Sequence, residues 1–311
     1  MGWTADEIPD LSGKVAIVTG ANTGLGKEIA TRLAEHDATT VMACRTAAKA
    51  EAAKKEILAE IGERKRLEVM ALDVSSLESV RSFAVEFSSK YKRLDILMEN
   101  AGVMALDPKQ ESVDGFEMQF ATNHIGHFLL TKMLMPLLEK TEGSRVVTHS
   151  SAANFSGKFQ WDDIQGEKSY KPWDQYSMTK LANICFANEL NKRVQTAGKG
   201  FPTTYSVHPG GVRTQLLDNA VQDFRAKTFD FFSSYAFGTF ETGSRPALFA
   251  CAAPEAEPGA FYGPTGPIPM LSLMNGSYPG KIAPNKLALD SEECKKLWEL
   301  SEELIEEKFD I

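Results

Sequence analysis

The chain has 311 residues, a net charge of −8 and a pI of about 5.3. This length suffices for one large α/β domain or two smaller ones, and the acidic balance without a basic stripe argues against nucleic-acid binding. No apolar run reaches the roughly 18 residues of a membrane span. The four widely spaced cysteines form no metal or redox pattern. We expect a reduced, cytoplasmic protein with no metal site and no membrane span.

The first predicted strand, residues 15–19, leads into a glycine-rich turn and a helix that extends to about Glu35. This order forms a phosphate site, because glycine lets the backbone approach a ligand and the helix N-terminus offers free N–H groups. The spacing is G-x-x-x-G-x-G, since Ile29 occupies the third glycine position of the usual G-x-G-x-x-G. The turn predicts dinucleotide binding, with a simple tight turn as the alternative.

The second predicted strand, residues 39–43, ends at Cys44 and Arg45. An NAD site usually carries an acid near this point for the ribose 2′-hydroxyl. Here no acid is present, and an arginine suits a 2′-phosphate instead. The pattern predicts NADP(H), with a solvated arginine at the start of the next helix as the alternative.

Strands and helices continue to alternate along the chain. We predict helices over 47–61, 76–91, 116–138 and 175–194, and strands over 67–72, 94–98, 145–150 and 202–207. Such alternation predicts an α/β fold with one doubly wound parallel sheet and helices on both faces, whose ligands bind at the carboxyl ends of the strands. The residues that follow predicted strands at this edge include Gly20, Arg45, Asp73, Asn100 and Ser151.

The predicted helix over 116–138 carries the polar residues Asn123, His124 and His127, and we expect Pro136 to kink or end it. Buried polar groups in a helix need partners. We interpret the two histidines as structural, because a metal site would also need converging acids or cysteines.

The predicted helix over 175–194 places Tyr176 and Lys180 on one face, four residues apart. A free tyrosine titrates near pH ~10, and a nearby lysine charge favours the phenolate. The phenol can then exchange a proton with a substrate oxygen as general acid or base. The alternative is a helix with a surface tyrosine and lysine.

The C-terminal third is less regular. Residues 253–284 are dense in proline and glycine, which predicts mostly loop. Asp290 or Ser291 could cap a last helix, with four apolar residues facing inward: Leu297, Leu300, Leu304 and Ile305. We predict one domain over 1–311, in which 253–311 is a loop-rich region with a final helix.

Together these pieces resemble the short-chain dehydrogenase/reductase family over about residues 12–265. The matching residues are Thr19, Gly20, Gly24, Gly26, Asp73, Asn100, Ala101, Gly102, Asn123, Ser151, Tyr176, Lys180, Pro209 and Gly210. Within the family the chain is most similar to the retinol-dehydrogenase-like branch. That similarity lies in residues 19–27, 43–45, 123–128, 161–163 and 180–183. The resemblance implies a Rossmann fold and an oxidoreductase.

The resemblance implies four catalytic residues. Tyr176 would pass a proton to a carbonyl oxygen as hydride arrives from the nicotinamide, and Ser151 would hydrogen-bond that oxygen. Lys180 would lower the Tyr176 pKa and hold the nicotinamide ribose, while Asn123 would hold a water of the proton relay. The sequence does not separate Ser151 from the adjacent Ser150.

The resemblance also implies an NADP(H) site. The glycine-rich turn would carry the pyrophosphate, Arg45 the 2′-phosphate and Asp73 the adenine, and Val212 and Thr214 would contact the nicotinamide carboxamide. The full implied set is Gly20, Asn22, Thr23, Gly24, Leu25, Gly26, Arg45, Asp73, Val74, Asn100, Ala101, Gly102, Tyr176, Lys180, Pro209, Gly210, Val212 and Thr214.

Two features depart from the family. Glu99 stands where the family usually has asparagine, and we expect it to be tolerated because Asn100 and Gly102 remain. Many retinol dehydrogenases carry an N-terminal membrane anchor, whereas residues 1–14 here are polar and acidic. This difference weakens the expectation of a retinoid substrate.

The stretch after Thr214 corresponds to the family's substrate lid, which we predict to be helical over 215–245. Its aromatic residues indicate an apolar pocket and a lipophilic aldehyde or ketone, with packing inside the lid as the alternative. They are Phe224, Phe229, Phe231, Phe232, Tyr235, Phe237 and Phe240. NADP preference favours reduction of the carbonyl.

Two other functions compete with this one. A protochlorophyllide-reductase-like enzyme would share Tyr176 and Lys180, but residues 180–183 are closer to the retinol-dehydrogenase-like branch. A non-catalytic NADP sensor on the same fold would be expected to lack catalytic residues, and all four are present. Family members often pair through their long helices, so we expect a homodimer or homotetramer.

Overall fold

The computed structural model describes residues 2–212, 238–266 and 278–311. Its strands are β1 Val15–Thr19, β2 Thr39–Cys44, β3 Leu67–Ala71, β4 Ile96–Glu99, β5 Arg145–His149, β6 Thr203–Val207, β7 Phe261–Thr265 and β8 Tyr278–Lys281. They form one sheet in the order β3-β2-β1-β4-β5-β6-β7-β8. The first seven strands are parallel, and β8 is antiparallel to β7.

Helices cover both faces of the sheet. They are α1 Gly24–Glu35, α2 Ala47–Ile61, α3 Leu77–Lys90, α4 Gly126–Lys140, α5 Pro172–Thr196, α6 Phe240–Ala252 and α7 Ser291–Leu304. One core lies between the sheet and α1, α2 and α6. The second core lies between the sheet and α3, α4 and α5, with α7 packed outside them. The layers are those of the predicted doubly wound Rossmann fold.

The two cores arise from the alternation of side chains along buried strands. Every residue of β1 and β2 is buried, as expected for strands covered on both faces. Successive residues then point to opposite sides, so Ile17 joins one core and Val18 joins the other.

The sheet is parallel as predicted except at its C-terminal edge. We expected mostly loop over 253–284, yet the described part of this region contributes β7 and β8. Tyr278–Lys281 contains proline and glycine, which a central strand would not accept. An edge strand accepts them because only one of its sides is paired.

The helix predicted over 116–138 is divided into three parts. A short helix, Met118–Phe120, and a π-helical turn, Ala121–Ile125, precede α4. Pro136 lies inside α4 and does not end it, because a proline removes one helix hydrogen bond while the apolar face of α4 stays packed in the core. The other predicted strands and helices up to β6 agree to within one or two residues, except that α5 starts earlier, at Pro172.

The final helix forms as predicted. The side chain of Asp290 caps α7 by accepting a hydrogen bond from the Glu292 N–H. Leu297 and Ile305 are buried, and Leu300 and Leu304 pack partly buried against the same core. Within the described ranges, no helix combines the length and the apolar character needed to cross a membrane.

Candidate active site

A cavity of about 970 Å³ opens at the carboxyl ends of the strands. It lies at the point where the strand order reverses between β1 and β4, which is where doubly wound sheets bind ligands. The predicted site residues that line it are Gly20, Asn22, Thr23, Gly24, Leu25, Gly26, Arg45, Asp73, Val74, Asn100, Ala101, Gly102, Ser151, Tyr176, Lys180, Pro209, Gly210 and Val212. Asn123 lies behind the cavity wall, and Thr214 falls outside the described residues.

The glycine-rich turn requires glycine at three positions. Gly20 and Gly24 have φ of +67° and +57°, in the left-handed region that glycine adopts without strain. A Cβ on Gly26 would lie 2.4 Å from the Asn100 Nδ2 and 2.5 Å from the Gly20 carbonyl oxygen. The turn therefore brings the N-terminus of α1 directly against the ends of β1 and β4, with open backbone on the cavity side.

Thr19 joins the ends of β1 and β4. Its Oγ1 accepts hydrogen bonds from the backbone N–H groups of Asn100 and Ala101, both at 2.9 Å. The Asn100 side chain returns a bond from Nδ2 to the Thr19 carbonyl oxygen, at 2.8 Å. These contacts hold residues 100–102 beside the glycine-rich turn, although 81 residues of chain separate Thr19 from Asn100.

The two histidines before and within α4 have protein partners. The His127 Nε2 lies 3.0 Å from the Thr19 Oγ1. Because this hydroxyl oxygen already accepts two backbone N–H groups, its own proton is donated to the His127 nitrogen. The His124 Nε2 lies 2.8 Å from the Ser301 Oγ of α7. Burial lowers the pKa of His124 to about 3 and that of His127 to about 4, so both rings are neutral. These contacts support the structural interpretation.

Tyr176 and Lys180 are buried next to each other on α5. The Lys180 Nζ lies 5.6 Å from the centre of the Tyr176 ring and donates to the His149 carbonyl oxygen at 3.2 Å. Burial lowers the pKa of Lys180 to about 8. Burial also raises the pKa of Tyr176, and the hydrogen bond from Ser151 opposes this shift. The loss of hydration therefore sets the direction of the Tyr176 pKa shift in the protein alone, and the lowering expected from Lys180 stays a prediction.

The two adjacent serines have different surroundings in the structure. Ser150 is buried, and its Oγ donates to the Lys180 carbonyl oxygen at 2.6 Å, so it holds α5 against β5. Ser151 is less buried and lines the same cavity as Tyr176, whose pKa its hydroxyl lowers. Of the pair, Ser151 is the one that can share a substrate oxygen with Tyr176.

Asn123 lies in the π-helical turn, a feature that is frequent at functional sites. Its Oδ1 accepts from the Val103 N–H at 2.8 Å, and its Nδ2 donates to the Val103 carbonyl oxygen and the Thr179 Oγ1, both at 2.9 Å. These bonds tie the turn to the segment after β4 and to α5. Its role with a relay water stays a prediction.

Lys49 also lines the cavity, although the sequence did not lead us to predict it. It lies four positions after Arg45, at the start of α2, and both line the same end of the cavity. Among the described residues, no carboxylate forms an ion pair with either cation. The i, i+4 spacing of two basic residues after β2 was the available signal.

The opposite end of the cavity has an apolar wall formed by Val103, Met104, Leu106, Met118 and Trp173. The polar residues Gln110, Thr122 and Asp174 also line the cavity. Trp173 is 50% exposed and packs edge-on against the Tyr176 ring, with 6.1 Å between the ring centres. A half-exposed tryptophan beside Tyr176 and Lys180 offers apolar surface that a bound ligand would cover.

Glu99, the departure from the family pattern, is buried at the end of β4 and is not part of the cavity lining. The Thr131 hydroxyl donates to its Oε1 at 2.5 Å. Burial raises the pKa of Glu99 to about 8, so the group is mostly a neutral acid at pH 7. A neutral carboxyl adds no charge beside the cavity, which is a physical reason for its tolerance.

Relatives of this chain include retinol dehydrogenases. Retinol dehydrogenase 11 from Homo sapiens is 45% identical over 207 residues, a match that spans 67% of this chain and 64% of the relative's length. Retinol dehydrogenase 14 from Homo sapiens is 35% identical over 314 residues and covers 95% of this chain and 87% of that protein.

Solved structures share the fold. The crystal structure of a protein from Mycobacterium Paratuberculosis superposes with a TM-score of 0.80 at 34% identity and covers 100% of both chains. A short chain dehydrogenase from Escherichia coli CFT073, solved with NADPH, has a TM-score of 0.59 at 23% identity over 82% of this chain and 98% of its own. A family model for short chain dehydrogenases matches residues 14–224. The protein belongs to the short-chain dehydrogenase family.

Proposed function

We propose that this protein is an NADP(H)-dependent oxidoreductase that transfers hydride between nicotinamide and a carbonyl or alcohol, and that it reduces a lipophilic aldehyde or ketone. The observation that carries the proposal is the convergence of Ser151, Tyr176 and Lys180 on one cavity. The same cavity holds the glycine-rich turn at one end and an apolar wall at the other.

The residues present fit a dinucleotide phosphate. The open backbone at Gly20, Gly24 and Gly26 would approach the pyrophosphate, beside the N-terminus of α1. Arg45 and Lys49 would meet the 2′-phosphate, because two cations without an acid partner suit that anion. The NADPH in the Escherichia coli relative supports this choice. When bound, the nicotinamide supplies the hydride, which the protein's own side chains cannot.

The protein's own residues handle the proton. With its pKa raised by burial, Tyr176 keeps its phenolic proton at neutral pH and can donate it to the carbonyl oxygen as a general acid. Ser151 hydrogen-bonds the same oxygen and stabilises the charge that develops there. Lys180, with a pKa of about 8, is mostly protonated at pH 7 and stabilises the phenolate that remains.

The substrate class follows from the apolar wall. Met104, Leu106 and Met118, together with half-exposed Trp173, would cover the body of a lipophilic carbonyl compound while its oxygen points to Tyr176. The retinol dehydrogenases among the relatives act, by name, on a lipophilic alcohol. The proposal includes a substrate lid over 215–245. Residues 213–237 lie outside the described part of the chain. The remaining residues of the proposed lid lead into α6, which begins at Phe240.

The function is tested by following NADPH absorbance with aldehydes and ketones that range from small to lipophilic. We expect the lipophilic compounds to turn over, and the Tyr176→Phe variant to lose at least ~10²-fold in kcat, because general acid catalysis typically contributes that much. NADPH binding without turnover of any compound by the wild-type protein would contradict the reductase and favour an NADP sensor.

The cofactor choice has its own test. Arg45→Ala and Lys49→Ala should each weaken NADPH binding by roughly 5- to 50-fold, since each removes one charge-assisted contact to a phosphate. Their NADH affinity should stay unchanged, because NADH lacks the 2′-phosphate. Lys55→Ala is the matched control, as Lys55 is exposed on the same helix and does not line the cavity. Equal losses for NADPH and NADH would contradict the assignment.

A further inference from the structure

A buried polar network lies behind the apolar wall of the cavity and takes no part in the proposed chemistry. It joins the side chains of Glu117, Gln119, Tyr170 and Gln175. Glu117, Gln119 and Gln175 are buried, and Tyr170 is partly buried. A buried polar network whose hydrogen bonds are satisfied makes the segments that it joins rigid. This network therefore indicates a segment of the chain that is held in one conformation.

The segment that the network holds carries two residues of the cavity wall, Met104 and Leu106. Ala105, between them, has a φ of +48°, which a non-glycine residue adopts only where surrounding contacts impose it. The Ala105 N–H donates to the Gln119 Oε1 at 2.7 Å, and the Leu106 carbonyl oxygen accepts from the Tyr170 hydroxyl at 2.8 Å. Two side chains of the network therefore clamp this strained backbone directly.

Tyr170 links the network to the cavity wall. The Gln119 Nε2 donates one N–H to the Tyr170 oxygen at 2.9 Å and the other to the Pro172 carbonyl oxygen at 3.1 Å. The Tyr170 hydroxyl donates to the Leu106 carbonyl oxygen at 2.8 Å and also reaches the Glu117 Oε1 at 3.2 Å. Its one proton is therefore shared between these two oxygens, and the bond to Leu106 is the shorter.

The other carboxyl oxygen acts only as an acceptor. The Glu117 Oε2 accepts from the Phe120 N–H at 2.7 Å and from the Gln175 Nε2 at 3.1 Å. Burial raises the pKa of Glu117, and the hydrogen bonds that it accepts oppose this shift. Burial and the nearby Glu117 carboxyl raise the pKa of Tyr170, with a smaller contribution from Asp107, so the phenol keeps the proton that it donates.

We propose that Glu117 and Tyr170 are positioning residues that set the shape of the substrate pocket, through Ala105, for bulky lipophilic carbonyl compounds. This inference rests on the proposed function for its substrate class. Glu117 acts in it through its hydrogen-bond contacts with Tyr170, Phe120 and Gln175 and not through a charge. Glutamine keeps these three contacts, since its NH₂ can donate to the Tyr170 oxygen while its oxygen accepts from Phe120 and Gln175.

Kinetics of three variants test the proposal. Tyr170→Phe and Glu117→Ala should raise the KM for bulky carbonyl compounds by roughly 5- to 30-fold, because each leaves buried polar groups of the clamp without a partner. The KM for the smallest aldehyde and the Kd for NADPH should stay within about twofold, since neither depends on the apolar wall. Glu117→Gln should behave as the wild type. A loss in Glu117→Gln equal to that of Glu117→Ala would overturn the proposal.

Hydrogen exchange provides a second measurement that needs no turnover. The Ala105 amide should exchange faster in Tyr170→Phe and Glu117→Ala than in the wild type, and at the wild-type rate in Glu117→Gln. If the wild-type protein reduced no carbonyl compound, the proposed function would fail, but the exchange rates would still show whether Glu117 and Tyr170 hold the backbone at Ala105. An unchanged exchange rate of the Ala105 amide in Tyr170→Phe would overturn the positioning role of Tyr170.

Discussion

At the scale of single residues, burial decides the protonation of Tyr176 and Glu99 more than neighbouring charges do. Lys180 lies on the same helix face as Tyr176, but its ammonium bonds to a backbone carbonyl oxygen, and the phenol stays protonated. Glu99 follows the same rule, because its partner in the described part of the chain is the uncharged Thr131 hydroxyl and burial favours the neutral acid. The residue types in the sequence predicted where the site lies, while the loss of hydration on folding determined the protonation states of Tyr176 and Glu99.

Glu99 should make the stability of the protein depend on pH. Its folded pKa of about 8 lies above its ordinary value of 4.5, so its contribution is fully present below pH 4.5 and is lost as the pH rises through about 8. Thermal unfolding of the wild type and Glu99→Gln should be compared between pH 5 and 9. We expect the Tm of the wild type to fall more steeply with pH. Parallel curves would show that the carboxyl is not neutral when folded.

At the scale of elements, α7 closes the core that α4 and α5 leave open. Trp298 of α7 lies with its ring centre 5.0 Å from that of Phe128 and 6.0 Å from that of Phe186. The ring also lies 4.8 Å from the Phe309 ring centre and 4.4 Å from the Arg193 guanidinium, and its Nε1 donates to the Glu302 Oε1 at 3.1 Å. The C-terminal helix is therefore part of the fold and not an appendage.

Loss of this packing should destabilise the protein. Trp298→Ala should lower the free energy of unfolding by roughly 3–5 kcal/mol, because it removes a fully buried ring. Urea unfolding of the purified variant measures this change. Trp173→Ala is the matched control, since Trp173 is half-exposed in the cavity wall and its loss should cost far less. Similar losses for both variants would contradict the structural role of α7.

At the scale of the whole molecule, the chain buries the surfaces that we expected to mediate assembly. Residues 175–187 of α5 are all buried within a single chain, and α7 covers the outer side of α4 and α5. A homodimer or homotetramer remains a prediction, but we expect it to use a surface other than these helix faces. The predicted cytoplasmic location likewise stays a prediction.

Much of the site was predictable because a parallel sheet brings the ends of its strands to one edge. Gly20, Arg45, Asp73 and Asn100 were placed by chain order and strand periodicity alone, and each lines the cavity. The contacts that join them were not predictable, since those contacts link residues far apart in the chain. The bond between Thr19 and Asn100 is one example, and the packing of Trp298 on Phe128 is another.

The strand and helix order up to β6, the glycine-rich turn and the pairing of Tyr176 with Lys180 were predictable from residue order alone, because these features depend on local periodicity and spacing. The folded chain was needed to show that the Ser150 hydroxyl is bonded to Lys180, which leaves Ser151 as the serine available beside Tyr176, and that Lys49 lines the cavity with Arg45. It also decided that the Glu117 network clamps Ala105. The physical reason is that side-chain direction and loss of hydration depend on what packs around each group, which the order of residues does not state.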